Sequence, residues 1–182
     1  MTADHLEGES TGRSHSGFSR GESQVVVPLN HRLTQKLVTR RFDRLDHQFF
    51  VSTKVLRAQG RKTEAQAIEK QMSAVLQAVS NELAKSMEDI KPIKADAQIH
   101  GITPGAIQYD SHADIAVSVS TSFSMRVLVL IKTLDELLSD LDVLELALRV
   151  TPEASAEIAG GWRSKFISAL SALSQVCKKT KK

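Results

Sequence analysis

Two short β-branched runs, QVVVPL at 24–29 and DIAVSVST at 114–121, interrupt a chain whose other apolar residues recur at helical spacing. They constrain the fold most, because a single strand cannot satisfy its own backbone donors and acceptors. Antiparallel pairing of the two runs supplies a partner within the chain, and pairing with a second copy supplies one in a homodimer. Either gives a two-stranded ribbon on a helical body. In the second run Ile115, Val117 and Val119 alternate with smaller residues, so the aliphatic side faces a core and Ser118 and Ser120 face outward.

Helical stripes fill the rest. Asn30 is a good N-cap residue, and Leu33, Leu37, Val38, Phe42, Leu45, Phe49 and Leu56 predict one helix from Asn30 to a stop at Gly60. TEAQ, from Thr63 to Gln66, matches a capping box. The stripe after it, Ala67, Ile68, Met72, Val75, Leu76, Val79 and Leu83, predicts a second helix that fades near Ile90, before Pro92. Residues 91–113, with two prolines and two glycines, read as a long connection. A third helix, capped by Ser122 or Ser124, carries Leu128, Ile131, Leu134, Leu138, Leu141, Leu144 and Leu148. Thr151 with Pro152 opens a fourth, in which Gly160 and Gly161 form a weak point.

The fold class expected is therefore mainly α with a short two-stranded antiparallel ribbon, a ribbon-helix-helix-like arrangement of two β-α-α units. The expected organisation is a disordered leader over 1–23, one ribbon-and-helix domain over 24–177 and a basic tail over 178–182. Within the domain, units at 24–90 and 114–177 are joined by the connection 91–113. The single cysteine, Cys177, excludes an internal disulfide and suits a reducing compartment. The longest aliphatic run is hemmed by Arg126, Lys132 and Asp135, too short for a membrane span. A cytoplasmic protein without a membrane role is expected.

Net charge is only +3, but its layout is uneven. Residues 31–62 hold nine basic and two acidic side chains, whereas 132–157 hold two basic and seven acidic. Arg32, Lys36, Arg40 and Arg44 recur every four residues with Arg41 beside them, which keeps them on one flank of a helix. Cations so placed can hold phosphates and release counterions, although a charge run can also be an ordinary solvated face. Arg61 and Lys62, just ahead of the second helix's N-terminus, form a further anion site. Ser118 and Ser120 on a ribbon could bond base edges or phosphates.

Catalysis finds no support. The six histidines, His5, His15, His31, His47, His100 and His112, lack metal-ligand spacing. DSHAD at 110–114 reads as a loop and cap rather than a nucleophile with its base. There is no phosphate loop and no dinucleotide fingerprint. No enzyme, cofactor or metal is expected.

The stretch DIAVSVSTSFSMRVLVLIKTLDELLSDLDVLELA, followed by GGWRSKFISALSAL, resembles the AcaB family of transcriptional regulators from conjugative plasmids, and NHRLTQKLVTRRFDRL is similar to that family's N-terminal helix. The likeness spans roughly residues 24–176 and lies in element order and apolar pattern. It implies a ribbon-helix-helix type of DNA-binding protein that activates conjugative-transfer genes by binding double-stranded DNA near a promoter. Helices about twice the usual length and the presence of two units depart from ordinary proteins of that type. The alternative reading is a non-enzymatic helical interaction module of a conjugation or mobile-element system.

Overall fold

The computed structural model describes residues 21–99 and 107–178. Strand β1 (Ser23–Leu29) pairs antiparallel with β2 (Ala113–Val119), so the ribbon forms within one chain. Its register sets Gln24 opposite Ser118, Val26 opposite Ala116 and Pro28 opposite Asp114. Val27, Leu29, Val117 and Val119 are buried on one side, while Val26 on the other is 61% exposed. The two-residue alternation thus does what it predicts: one face packs on helices and the other is bare.

Helix α1 (residues 32–58) is continuous but not uniform. Regular turns at Arg32–Leu37, Asp43–Phe50 and Leu56–Ala58 alternate with wider π turns at Val38–Phe42 and Val51–Val55. A π turn absorbs an extra residue, which keeps Leu37, Val38, Phe42, Leu45, Phe49 and Leu56 on the core side. Gly60, at φ +82°, ends it: Gly60 N–H donates to the Arg57 carbonyl and Arg61 N–H to that of Leu56.

Helix α2 (Lys62–Ile99) corrects two expectations. It starts at Lys62 with Arg61 accepting from Ala65 N–H, so Thr63 lies inside the first turn rather than at the cap. It also passes through Pro92 and nine residues beyond Ile90, so 91–99 is helix and not connection. Tertiary anchors outweigh the lost backbone bond: Ala97 is fully buried, Lys94 bonds Asp140 at 2.5 Å, and Arg149 meets Asp96 at 2.9 Å. The middle of the expected connection, 100–106, lies outside the described residues, as do most of the leader and of the tail. The Ala67 of the expected stripe is exposed, and Ala65 takes the core position instead.

Helix α3 (Ser122–Leu146) is the centre of the core, with Ile131, Leu134, Leu137, Leu141 and Leu144 all but sealed from solvent. Its cap is Thr121, whose hydroxyl accepts from Ser124 N–H at 3.1 Å, so neither Ser122 nor Ser124 is the cap. It ends two residues before Leu148, which is 90% exposed at φ +55° and is not part of the stripe. Helix α4 (Pro152–Lys178) opens as the Thr151–Pro152 pair predicts, with Ala154 N–H donating to Thr151 Oγ1 at 3.3 Å. It runs unbroken through Gly160 and Gly161, beside which the space is open. α2 lies along α3 and α4, and α1 packs on α3 and α4 under the ribbon.

Two buried carboxylates tie the halves together. Asp135 of α3 accepts from Asn30 N–H at 2.8 Å, His31 N–H at 3.0 Å and Thr34 Oγ1 at 2.5 Å, where β1 turns into α1. His31 is the N-cap residue and makes no side-chain cap bond, so Asn30 does not cap this helix; a side chain about a hundred residues away does. Asp46 of α1 does the same where β2 turns into α3, accepting from Ser120 N–H at 3.0 Å, Ser120 Oγ at 2.9 Å and Ser124 Oγ. Asn30, His31 and Thr34 of one junction thus correspond to Ser120, Thr121 and Ser124 of the other. Asp46 stands fifteen positions after His31 and Asp135 fourteen after Thr121, and the π turn at Val38–Phe42 accommodates the extra residue.

Candidate nucleic-acid interface

Of the five α1 cations expected on one flank, Arg40, Arg41 and Arg44 share one groove, Arg32 lines a different hollow and Lys36 lines neither. Arg32, Lys36, Arg40, Arg41 and Arg44 are all exposed and make no ion pair among the described residues. Of the near carboxylates, Asp46 is buried and accepts from Ser120 and Ser124, while Asp43 is exposed. Arg40, Arg41 and Arg44 form one wall of an open groove of about 540 Å³, and the end of α4 forms the other with Ser171, Ser174 and Lys178. Leu45 and Leu170 line it as well, and among the described residues no carboxylate does. Gln48 Oε1, at the same groove, is sealed from solvent without a hydrogen-bond partner among the described residues. Further along the same seam Arg32 and Arg163 share a second hollow with Asp142 and Ser155.

Arg61 and Lys62 separate in role. Arg61 closes a two-point ion pair with Glu64 at 2.8 Å on both bonds, so the first turn of α2 supplies its own anion. Lys62 is exposed and without such a partner among the described residues.

The serines separate too. Ser118 sits on the outward side and accepts from Gln24 Nε2 at 2.8 Å across the ribbon. Ser120 lies beyond the end of β2, and both its amide and its hydroxyl are bound to Asp46. The expected outward position of Ser120 is therefore corrected: the alternation stops where the chain turns into α3. The outward side comprises Gln24, Val26 and Pro28 from β1 and Asp114, Ala116 and Ser118 from β2, with no basic residue.

At the far end of the ribbon the DSHAD segment, whose last two residues open β2, is tied to Asn30. Ser111 Oγ donates to the Asn30 carbonyl at 2.6 Å, and His112 Nδ1 lies 2.9 Å from Asn30 Oδ1. Close by, Tyr109 stacks edge-on to His31 at 5.1 Å. Among the described residues its hydroxyl is enclosed without a good hydrogen bond, and burial pushes its pKa up to about 12. The Ser139 hydroxyl pulls the other way, while Asp142 and Asp135 add to the rise. Sequence reasoning missed Lys178's place in the groove, Arg163 and Gln24. Gln24 could have been found by carrying the alternation back along β1.

The ribbon, the four helices and their order define a mainly helical protein built on one intrachain two-stranded sheet, and its fold is AcaB-like. The chain is similar to AcaB from uropathogenic E. coli, known from a crystal structure of the selenomethionine-containing protein. The two align with a TM-score of 0.78 over 88% of this chain and 81% of that one, at 21% sequence identity. No protein-family model matches the chain, and no curated protein matches its sequence. Among the described residues, no helix is long and apolar enough to cross a membrane.

Proposed function

We propose that the protein is a double-stranded-DNA-binding transcriptional regulator, an activator of conjugative-transfer genes, with phosphates held along α1 and base edges met by the ribbon. The observation that carries this reading is the set of exposed cations from Arg32 to Arg44, unpaired among the described residues, of which Arg40, Arg41 and Arg44 meet Lys178 in a groove that no carboxylate of the described residues lines. Long-range attraction from such a cluster suits a polyanion. The ribbon adds a bare outer face of the width that a major groove admits, with Gln24 and Ser118 supplying donors and acceptors. Lys62, exposed at the start of α2, is a further phosphate contact in this reading.

The test is charge reversal at Arg40, Arg41 and Arg44 to Glu, assayed by gel shift on duplex from the gene's own upstream region. These side chains are exposed, so the fold is expected to survive, with circular dichroism as the control. With about six phosphates neutralised, the wild-type log affinity falls against log salt with a slope near −5. The triple variant binds at least a hundredfold more weakly, with a shallower slope. Wild-type binding indifferent to salt refutes the reading.

A second reading, the helical interaction module, draws on the ribbon's outward side, which has no cation and carries Asp114, and on Leu146 and Leu148, exposed at 64% and 90%. Unchanged DNA binding in the triple variant favours it.

A further inference from the structure

The ribbon has a backbone centre that its side chains do not share. Val26 opposite Ala116 is the middle pair, and a half-turn about it exchanges β1 with β2. The same half-turn exchanges the junction held by Asp135 with the one held by Asp46. It also carries the pair Gln24–Ser118 onto the pair Asp114–Pro28, and these have nothing chemical in common. At one end an amide and a hydroxyl are bonded at 2.8 Å. At the other are a proline, which has no amide hydrogen, and a carboxylate 3.5 Å from His112 Nε2. A ribbon made from two copies of one strand would have identical ends and would match a palindromic site.

Resting on the DNA-binding reading, we propose that one chain reads one duplex site, and that this site is non-palindromic, with chemically different arms under Gln24 and Asp114. The Gln24 amide suits the adenine N6 and N7 edge, with Ser118 beside it. Asp114 can only accept, so it favours the amino group of cytosine and disfavours the acceptor pair of guanine.

The experiment selects duplexes from a random library with the full chain, then measures stoichiometry by native mass spectrometry on the recovered site. The expected result is one chain per duplex and an asymmetric motif. Gln24→Ala flattens base preference about tenfold or more in one arm only, and Asp114→Ala changes preference in the other arm only. Both residues are exposed on the outward side, so each variant keeps the core, and unchanged circular dichroism confirms it. Two chains per duplex, a palindromic motif, or either variant altering both arms overturns the proposal while DNA binding stands. A wild-type chain that selects no duplex removes the DNA reading and this proposal with it.

Discussion

Replacing Asp135 by Ala should be among the most damaging single changes in the chain, although it removes no apolar packing. The carboxylate is 4% exposed and receives two backbone amides and a hydroxyl. Thr34 Oγ1 retains its other acceptor, the His31 carbonyl at 2.8 Å, so the loss falls on the Asn30 and His31 amides. Each buried donor left without an acceptor costs about 1–3 kcal/mol. Partial access of water to these half-buried residues brings the total to about 2–5 kcal/mol. That is a large share of the roughly 5–15 kcal/mol that holds a domain folded. With a urea slope of about 2 kcal/mol/M, the unfolding midpoint falls by about 1–2.5 M at an unchanged slope. Asp135→Asn keeps the volume and one acceptor oxygen but turns an amide nitrogen toward a backbone N–H, so its midpoint falls between the two. Hydrogen exchange at the His31 amide should accelerate in both variants. A midpoint shift below about 0.3 M for Asp135→Ala would show that water replaces the carboxylate at little cost, and the argument for a capped junction would fail.

Two further outcomes follow from local geometry. Tyr109 is the single tyrosine, so absorbance near 295 nm reports it alone, and the native chain should titrate at about 12 rather than 10. Its hydroxyl is kept protonated by the fold, so the associated stability is intact below about pH 10 and is lost as pH rises from there through 12; a native transition at 10 contradicts the burial argument. Leu148 occupies the left-handed position of a helix-ending motif that Gly60 fills at the end of α1, with the same pair of backbone bonds. Leu148→Gly should therefore raise stability by about 1 kcal/mol in thermal denaturation, since its side chain buries almost nothing; a loss of stability would mean that the leucine makes contacts the fold depends on.

What the sequence disclosed was whatever depends on neighbours a few positions apart. β-branched alternation located both strands to within two residues at either end, and the leucine stripe located the core of α3. The end of α2 was illegible because its later core contacts are Ile90 and Ala97, a faint signal beside Pro92, and because the anchors Asp140 and Arg149 lie about fifty residues away. The role of Ser120 was illegible for the same reason: its partner is Asp46, and period alone cannot reveal a bond across seventy-four positions. A clue was nevertheless present. Asp46 and Asp135 each interrupt an apolar stripe at a core position, next to Leu45 and Leu134, and a buried carboxylate requires donors. The exposure of the α1 cations was readable, but the second wall of the groove was not, since only packing brings Lys178 to the groove that Arg40, Arg41 and Arg44 line.

The two reciprocal carboxylates also set the order in which the molecule can be completed during synthesis. When residues up to Ile99 have left the ribosome, β1 has no sheet partner and the start of α1 lacks its acceptor, because Ala113–Val119 and Asp135 are still to come. The N-terminal half can gain helix in that interval but cannot close its own strand-to-helix turn. Closure waits for α3, and then both turns lock together. Contacts separated by so much chain slow folding. A premature stop in 100–106 would therefore release a fragment with an open strand edge, a template for aggregation rather than a working half-protein.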